Sequence, residues 1–240
     1  MTIPPTVPPK WSEDKLTNFL DDWRSNHYAT FANKPEIKRL IAIDGCFFKV
    51  LDKSVNPKPW FPFHFIHASH SAFRAACGLV MAGQLQEVNA LLRLSLENAA
   101  YGFYVSTDQQ LAELWVKRED SKDTRKEFKK KFQHVVIREA ISKHAPKLAK
   151  IFEDLYERTI DNGAHPNIGG FSLNTELEKI PGALNFLKIY LHGDGLPLDF
   201  AIKCCAQVGI CCLSIFQIVY PAKFLLLGVK SNLEELRKGL

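Results

Sequence analysis

The sequence predicts an all-α fold, a helical bundle of about eight to ten helices, and three observations carry that prediction. Apolar residues recur at three- and four-residue spacing through most of the chain. No stretch alternates apolar and polar residues between hairpin turns. One uncharged run, Cys204 to Ala222, is long and apolar enough to form a central helix buried on all sides. The chain has 240 residues, 46% hydrophobic and 24% charged, which is the balance of a globular protein with a sizeable core. One domain is expected over residues 12–240, behind a loose arm at 1–11 in which four prolines fix extended geometry.

In chain order, a first helix is expected behind a Ser12 cap, with Leu16, Phe19, Leu20 and Trp23 on one face. Pro35 suits the first turn of a second helix whose apolar face is Ile37, Leu40, Ile41, Phe47, Phe48 and Leu51. Three prolines make 56–62 a loop. Helices at 64–82 and 85–105 meet at Gly83-Gln84 as an antiparallel hairpin. Thr107 caps a fifth helix carrying Leu111, Leu114, Trp115 and Val116. A basic sixth helix runs from Ser121 and ends near Pro146. Leu148, Ile151, Phe152, Leu155 and Tyr156 mark a seventh, stopped by Asn162-Gly163. Residues 164–174 are irregular, and Thr175 with Glu178 forms a capping box for an eighth segment that Pro181-Gly182 interrupts. The long apolar helix at 198–220 and an amphipathic tail at 233–236 complete the chain.

The net charge of +5 is concentrated: eight of the Lys and Arg residues lie between Lys117 and Lys131, diluted by Glu119, Asp120, Asp123 and Glu127. Such a run reads first as a solvated helix face, and as an anion-binding patch where it borders a cleft. The adjacent pairs Cys204-Cys205 and Cys211-Cys212 point about 100° apart on a helix, so buried free thiols fit better than a thiolate metal site. Residues 1–9 lack a basic, then apolar, secretory pattern, and with free thiols this predicts a cytoplasmic protein. The run 204–222 is read as bundle core, so no membrane partner is expected. No phosphate-cradling, dinucleotide, Ser-elbow or His-Glu-x-x-His motif occurs, which removes support from nucleotide-dependent enzymes and serine or zinc hydrolases.

Two sets of polar residues carry candidate chemistry. Arg158 closes one helix and His165 lies in the loop after it. A neutral imidazole is a general base for a ribose 2′-hydroxyl, and a guanidinium stabilises the charge that develops on the phosphate. Arg93 and Glu97, one turn apart in an apolar segment, read as a structural ion pair or as an anion-binding pair reinforced by His70 and Arg74 from the preceding helix. His64, His67 and His70 recur every third residue but drift around the helix, so they read as packed histidines before metal ligands. A competing pair, Arg138 and His144, lies six apart on one helix and points to different faces.

Arg158 and His165 around a helix end resemble the HEPN superfamily over residues 64–225, although Thr159 stands where that family commonly has Asn, Asp or His. The resemblance implies a metal-independent endoribonuclease of phage defence or a toxin system, with His165 as base and Arg158 on the phosphate. A second resemblance rests on His67 to Arg74, on Leu91 to Glu97, on Tyr156 and on Ala164-His165-Pro166. These look like a group of bacterial helical proteins of unassigned function, which implies the fold and no activity. The leading expectation is therefore a helical protein that acts by binding, with the ribonuclease as alternative. No cofactor or metal is expected; a second copy and RNA are the expected partners.

Overall fold

The computed structural model describes residues 6–52, 54, 56–166 and 168–240. Among these, twelve α-helices and one two-stranded sheet form an α-helical bundle, as expected. The helices are α1 (Lys15–Asn33), α2 (Ile37–Leu51), α3 (Phe61–Ala82), α4 (Glu87–Ser106), α5 (Gln109–Val116), α6 (Lys122–Lys131), α7 (His134–His144), α8 (Pro146–Thr159), α9 (Ile168–Leu173), α10 (Leu196–Val219), α11 (Pro221–Leu226) and α12 (Val229–Leu236). A π-helical turn, Ile160–Ala164, follows α8, and strands β1 (Thr175–Ile180) and β2 (Ala183–Lys188) lie between α9 and α10.

The antiparallel pair α3 and α4 and the helix α10 form the centre, with α2, α8 and α12 around them. The α3–α4 hairpin turns where expected. Gly83 adopts the left-handed conformation (φ 85°), and Gln84 N–H donates to Leu79 O at 2.9 Å. A Cβ at Gly83 would meet the His192 carbonyl oxygen at 2.2 Å, so this corner closes only with glycine. Phe73, Phe103 and Phe216 are fully buried where the central helices meet. Gly209 lets α10 approach α2 and α3 closely: a Cβ there would lie 2.7 Å from both Ile43 Cγ2 and Phe73 Cε2. Helix α10 is long and apolar enough to cross a membrane, yet 72% of its apolar window is buried in the bundle. Five of the six cysteines are buried, Cys77 is half-buried, and all are free thiols. Burial pushes Cys212 up to about 11, so it is protonated and inert at neutral pH.

Several elements differ from expectation. The cap of α1 is Asp14, whose Oδ1 accepts from Leu16 and Thr17 N–H, while Ser12 Oγ donates to Asp21 instead. The first five residues of the expected arm lie outside the described residues; Trp11, at its end, is tied to α1 through Asp21 at 2.9 Å. In α2, Ile41 and Phe48 are exposed, and Ile43, Cys46 and Val50 take their place in the core. The single basic helix is two helices, broken where Phe132 buries its ring against Tyr101 and Tyr104 of α4. The predicted capping box at Thr175 is a strand: β1 pairs antiparallel with β2, Leu177 opposite Phe186, around a turn at Pro181-Gly182. Proline followed by glycine at φ 76° is the signature of a type II turn, and that local preference outweighs the capping pattern.

Candidate functional site

Helix α8 does not stop cleanly. Its last turn widens into the π-helical turn, where Asn162 Nδ2 donates to Arg158 O at 2.8 Å and Asn89 Nδ2 of α4 donates to Asn162 O at 2.9 Å. Gly163 (φ 124°) allows the chain to cross Gln86, whose Cγ would be 2.6 Å from a Cβ at that position. The chain leaving this turn carries His165 to α4, where Arg93 Nη1 donates to His165 Nε2. Because a guanidinium only donates, Nε2 is the acceptor and the ring hydrogen sits on Nδ1.

Arg158 faces another way. Its Nη1 donates to Gln207 Oε1 of α10 at 2.7 Å and lies 3.8 Å from Cys204 Sγ, and its guanidinium carbon is 5.8 Å from the centre of the Phe200 ring. The expected Arg158–His165 pair is thus separated: one residue is committed to α10, the other to α4. The arginine that meets His165 is Arg93. The spacing pairs His165 with Arg158, whereas the fold sets it against Arg93: the π-helical turn and Gly163 lie between 158 and 165, and no side-chain pattern announces such a turn.

Arg93 is a hub. Its Nε donates to Glu97 Oε1 at 2.9 Å, as the one-turn spacing predicts, and its Nη2 donates to Tyr156 Oη at 2.8 Å. Tyr156 Oη in turn donates to Glu97 Oε1 at 3.1 Å. Burial, then the Glu97 carboxylate, pushes the Tyr156 phenol up to about 12, so it remains a donor at neutral pH. His134 of α7 stacks on the Tyr156 ring at 3.9 Å between centroids. Its Nε2 is buried with no hydrogen-bond partner among the described residues. Burial lowers the His134 pKa, against the pull of Glu153 and Glu157. Four elements therefore converge on one polar group, with the Arg93 side chain 24% exposed and His165 at the surface.

His70 and Arg74 form a separate group. Both bind Asp44 of α2, His70 Nε2 at 2.6 Å and Arg74 through Nε at 2.6 Å and Nη2 at 2.9 Å. The two Arg74 bonds are a bidentate grip, and with the His70 bond they hold the Asp44 carboxyl below the usual range. Burial lowers the pKa of His70, which stacks on Phe47, against the pull of the Asp44 carboxylate. Helix α3 thus turns these residues to α2 and does not reinforce Arg93. Asp44, the only acid in the group, carries no local sequence signal, because its partners lie 26 and 30 residues away. His64 and His67 pack edge-on against Phe65 and Phe63, so the three histidines meet different neighbours. Arg138 pairs with Glu153 at 2.8 Å and His144 caps Ala140 O, each on its own face.

The basic run packs on α4 two turns beyond the Arg93 group. Arg93, Glu97 and Tyr101 share one face, and Tyr101 packs on Phe132 beside Phe128 of α6, about 12 Å from Arg93 at the helical rise. Lys131 pairs with Glu127 at 2.9 Å and Arg125 with Glu119 at 3.9 Å, while Lys122, Lys126, Lys129 and Lys130 have no ion pair among the described residues. Comparison of the chain with family models, with curated proteins and with solved structures found no match.

Proposed function

We propose that this helical-bundle protein acts by binding, and that Arg93 and His165 receive a phosphate or comparable oxyanion of its ligand, RNA being the candidate macromolecule. The observation that supports this reading is the guanidinium–imidazole contact at the surface, held from behind by Glu97 and Tyr156. An arginine whose Nε is fixed by a carboxylate presents its remaining N–H groups in one plane, the geometry that oxyanions accept. The four lysines of α6 without ion pairs among the described residues add positive charge on the neighbouring helix, the sequence-independent attraction a phosphate backbone feels.

A second reading rests on the same contact: a phosphate that draws Arg93 Nη1 onto itself frees the His165 Nε2 lone pair that the guanidinium otherwise occupies. A neutral imidazole beside a guanidinium supplies a base for a ribose 2′-hydroxyl and a cation for the attacked phosphate, the pairing a metal-independent endoribonuclease uses. In this form of the HEPN-like proposal Arg93 replaces Arg158 as the phosphate ligand. One experiment tests both readings. A labelled single-stranded RNA is mixed with wild type, Arg93→Gln and His165→Ala in EDTA, and both anisotropy and chain cleavage are followed. Binding by wild type that falls about tenfold or more in each variant supports the oxyanion site. Cleavage lost in His165→Ala establishes the nuclease. Equal RNA affinity in all three proteins overturns the site.

A further inference from the structure

A second concave site lies on the other side of α8. Helices α8, α10 and α12 line an open pocket of about 1080 Å³, the size of a site for a small organic ligand. Its walls are largely apolar, with Ile151 and Leu155 of α8 facing Ile210 and Ile218 of α10. Two arginines line it, and neither is in an ion pair among the described residues. Arg158 is half-buried and held by Gln207 at 2.7 Å over Phe200. Arg237 of the C-terminal segment donates to Ser214 Oγ at 2.6 Å. Gln207 and Ser214 are two turns apart on α10, so the anchors of the two guanidiniums stand about 10 Å from each other along the floor. Lys147 and Lys230 add positive charge at the rim, and Asp154 and Glu234 are the acids that share it.

We propose that this pocket binds an amphipathic carboxylate, its apolar chain along Ile151, Leu155, Ile210 and Ile218 and its carboxylate on Arg158. A guanidinium without a carboxylate partner is costly to desolvate beside an apolar wall, and an incoming carboxylate supplies the missing bidentate partner. The apolar chain supplies the driving force in proportion to its buried surface. Arg158, read from the sequence as a phosphate ligand for His165, is thereby assigned to a different site and ligand class. This inference does not depend on the Arg93–His165 reading, since the two sites share no side chain.

The test is calorimetric titration of the full chain with laurate and, separately, with dodecyltrimethylammonium, which has the same tail and the opposite charge. Laurate is expected to bind saturably at one site per chain and the cation not to. Arg158→Gln is expected to weaken laurate about tenfold or more. Ile151→Asp, a change at a half-exposed position that leaves the core intact, is expected to abolish binding by charging the apolar wall. Absence of saturable laurate binding by folded wild type overturns the proposal, as does equal affinity for the two amphiphiles or unchanged laurate affinity in Ile151→Asp. RNA binding by either variant is expected to match wild type, which separates this site from the Arg93 group.

Discussion

The helical centre and the segment from Ile160 to Gly195 are held by different physics. In the centre, α3, α4 and α10 bury phenylalanines and leucines against one another, and fifteen residues of α10 alone are buried. Between 161 and 195 only Gly170 and Asn174 are buried among the described residues, and both faces of the hairpin are open. That segment is held mainly by polar bonds to the α3–α4 corner, with an ion pair from Lys34 to Asp194 and an edge contact of Phe19 on Tyr190 tying it to α1. His192 N–H donates to Gly83 O at 2.8 Å, Asn174 Nδ2 donates to Gln86 Oε1 at 3.0 Å, and His192 Nε2 bonds Asn174 Oδ1 at 3.0 Å. His165 belongs to this outer segment and Arg93 to the centre. The candidate site is therefore a junction between a part fixed by packing and a part fixed mainly by a few polar bonds.

The largest effect that separates the two parts is expected at Phe216, which is fully buried. Phe216→Ala leaves a cavity between α10 and α4 and is expected to lower unfolding free energy by about 3–5 kcal/mol in urea titration. A loss below about 1 kcal/mol would mean that the centre collapses around the gap and is not close-packed. Next is Asn174→Ala. Asn174 is 2% exposed and its side chain joins Gln86, Gly170 and His192. Removing it strands buried partners at a cost of about 1–3 kcal/mol. Hydrogen exchange is the sharper readout: amides of 160–195 are expected to exchange faster while those of α10 keep their protection. Uniform acceleration would dissolve the distinction between the two parts.

How much of this was legible follows the same division. The α3–α4 hairpin, the glycine corner and the buried α10 were readable, because helical periodicity and a lone Gly83 state them locally. The Arg93–Glu97 pair was readable for the same reason, one turn apart on one helix. The hairpin was missed although Pro181-Gly182 names its turn, since its strands carry charges and apolar residues on both faces and so show no buried side. The meeting of Arg93 with His165 was illegible. It depends on a π-helical turn and on Gly163 crossing Gln86, which are long-range facts with no periodic trace.

Acid should act on both parts in the same direction. Burial lowers the pKa of His70 and His134 in the helical part and of His192 at the corner. A histidine with a depressed native pKa contributes nothing where both states are neutral. As pH falls through about 6.5, the unfolded chain takes up protons that the native state refuses, so stability declines. Urea midpoints are expected to be lower at about pH 5.5 than at about pH 7.5, and His192→Asn is expected to reduce that difference. A midpoint that rises on acidification would contradict the burial of these rings.

The smallest expected effect is at the hairpin, and it is the most discriminating for the chain alone. Phe186 is 60% exposed, pairs across the sheet with Leu177 and touches Phe171 at 6.5 Å between ring centres. Phe186→Ser removes a cross-strand pair worth about 0.2–1 kcal/mol and little buried area, so global stability is expected to fall by no more than about 1 kcal/mol. Solubility is expected to rise, because Leu177, Leu184 and Phe186 share one open face of a two-stranded sheet. A loss of 2 kcal/mol or more from Phe186→Ser would show that this face is covered in solution, and sedimentation of wild type against the variant would then tell whether a second copy covers it.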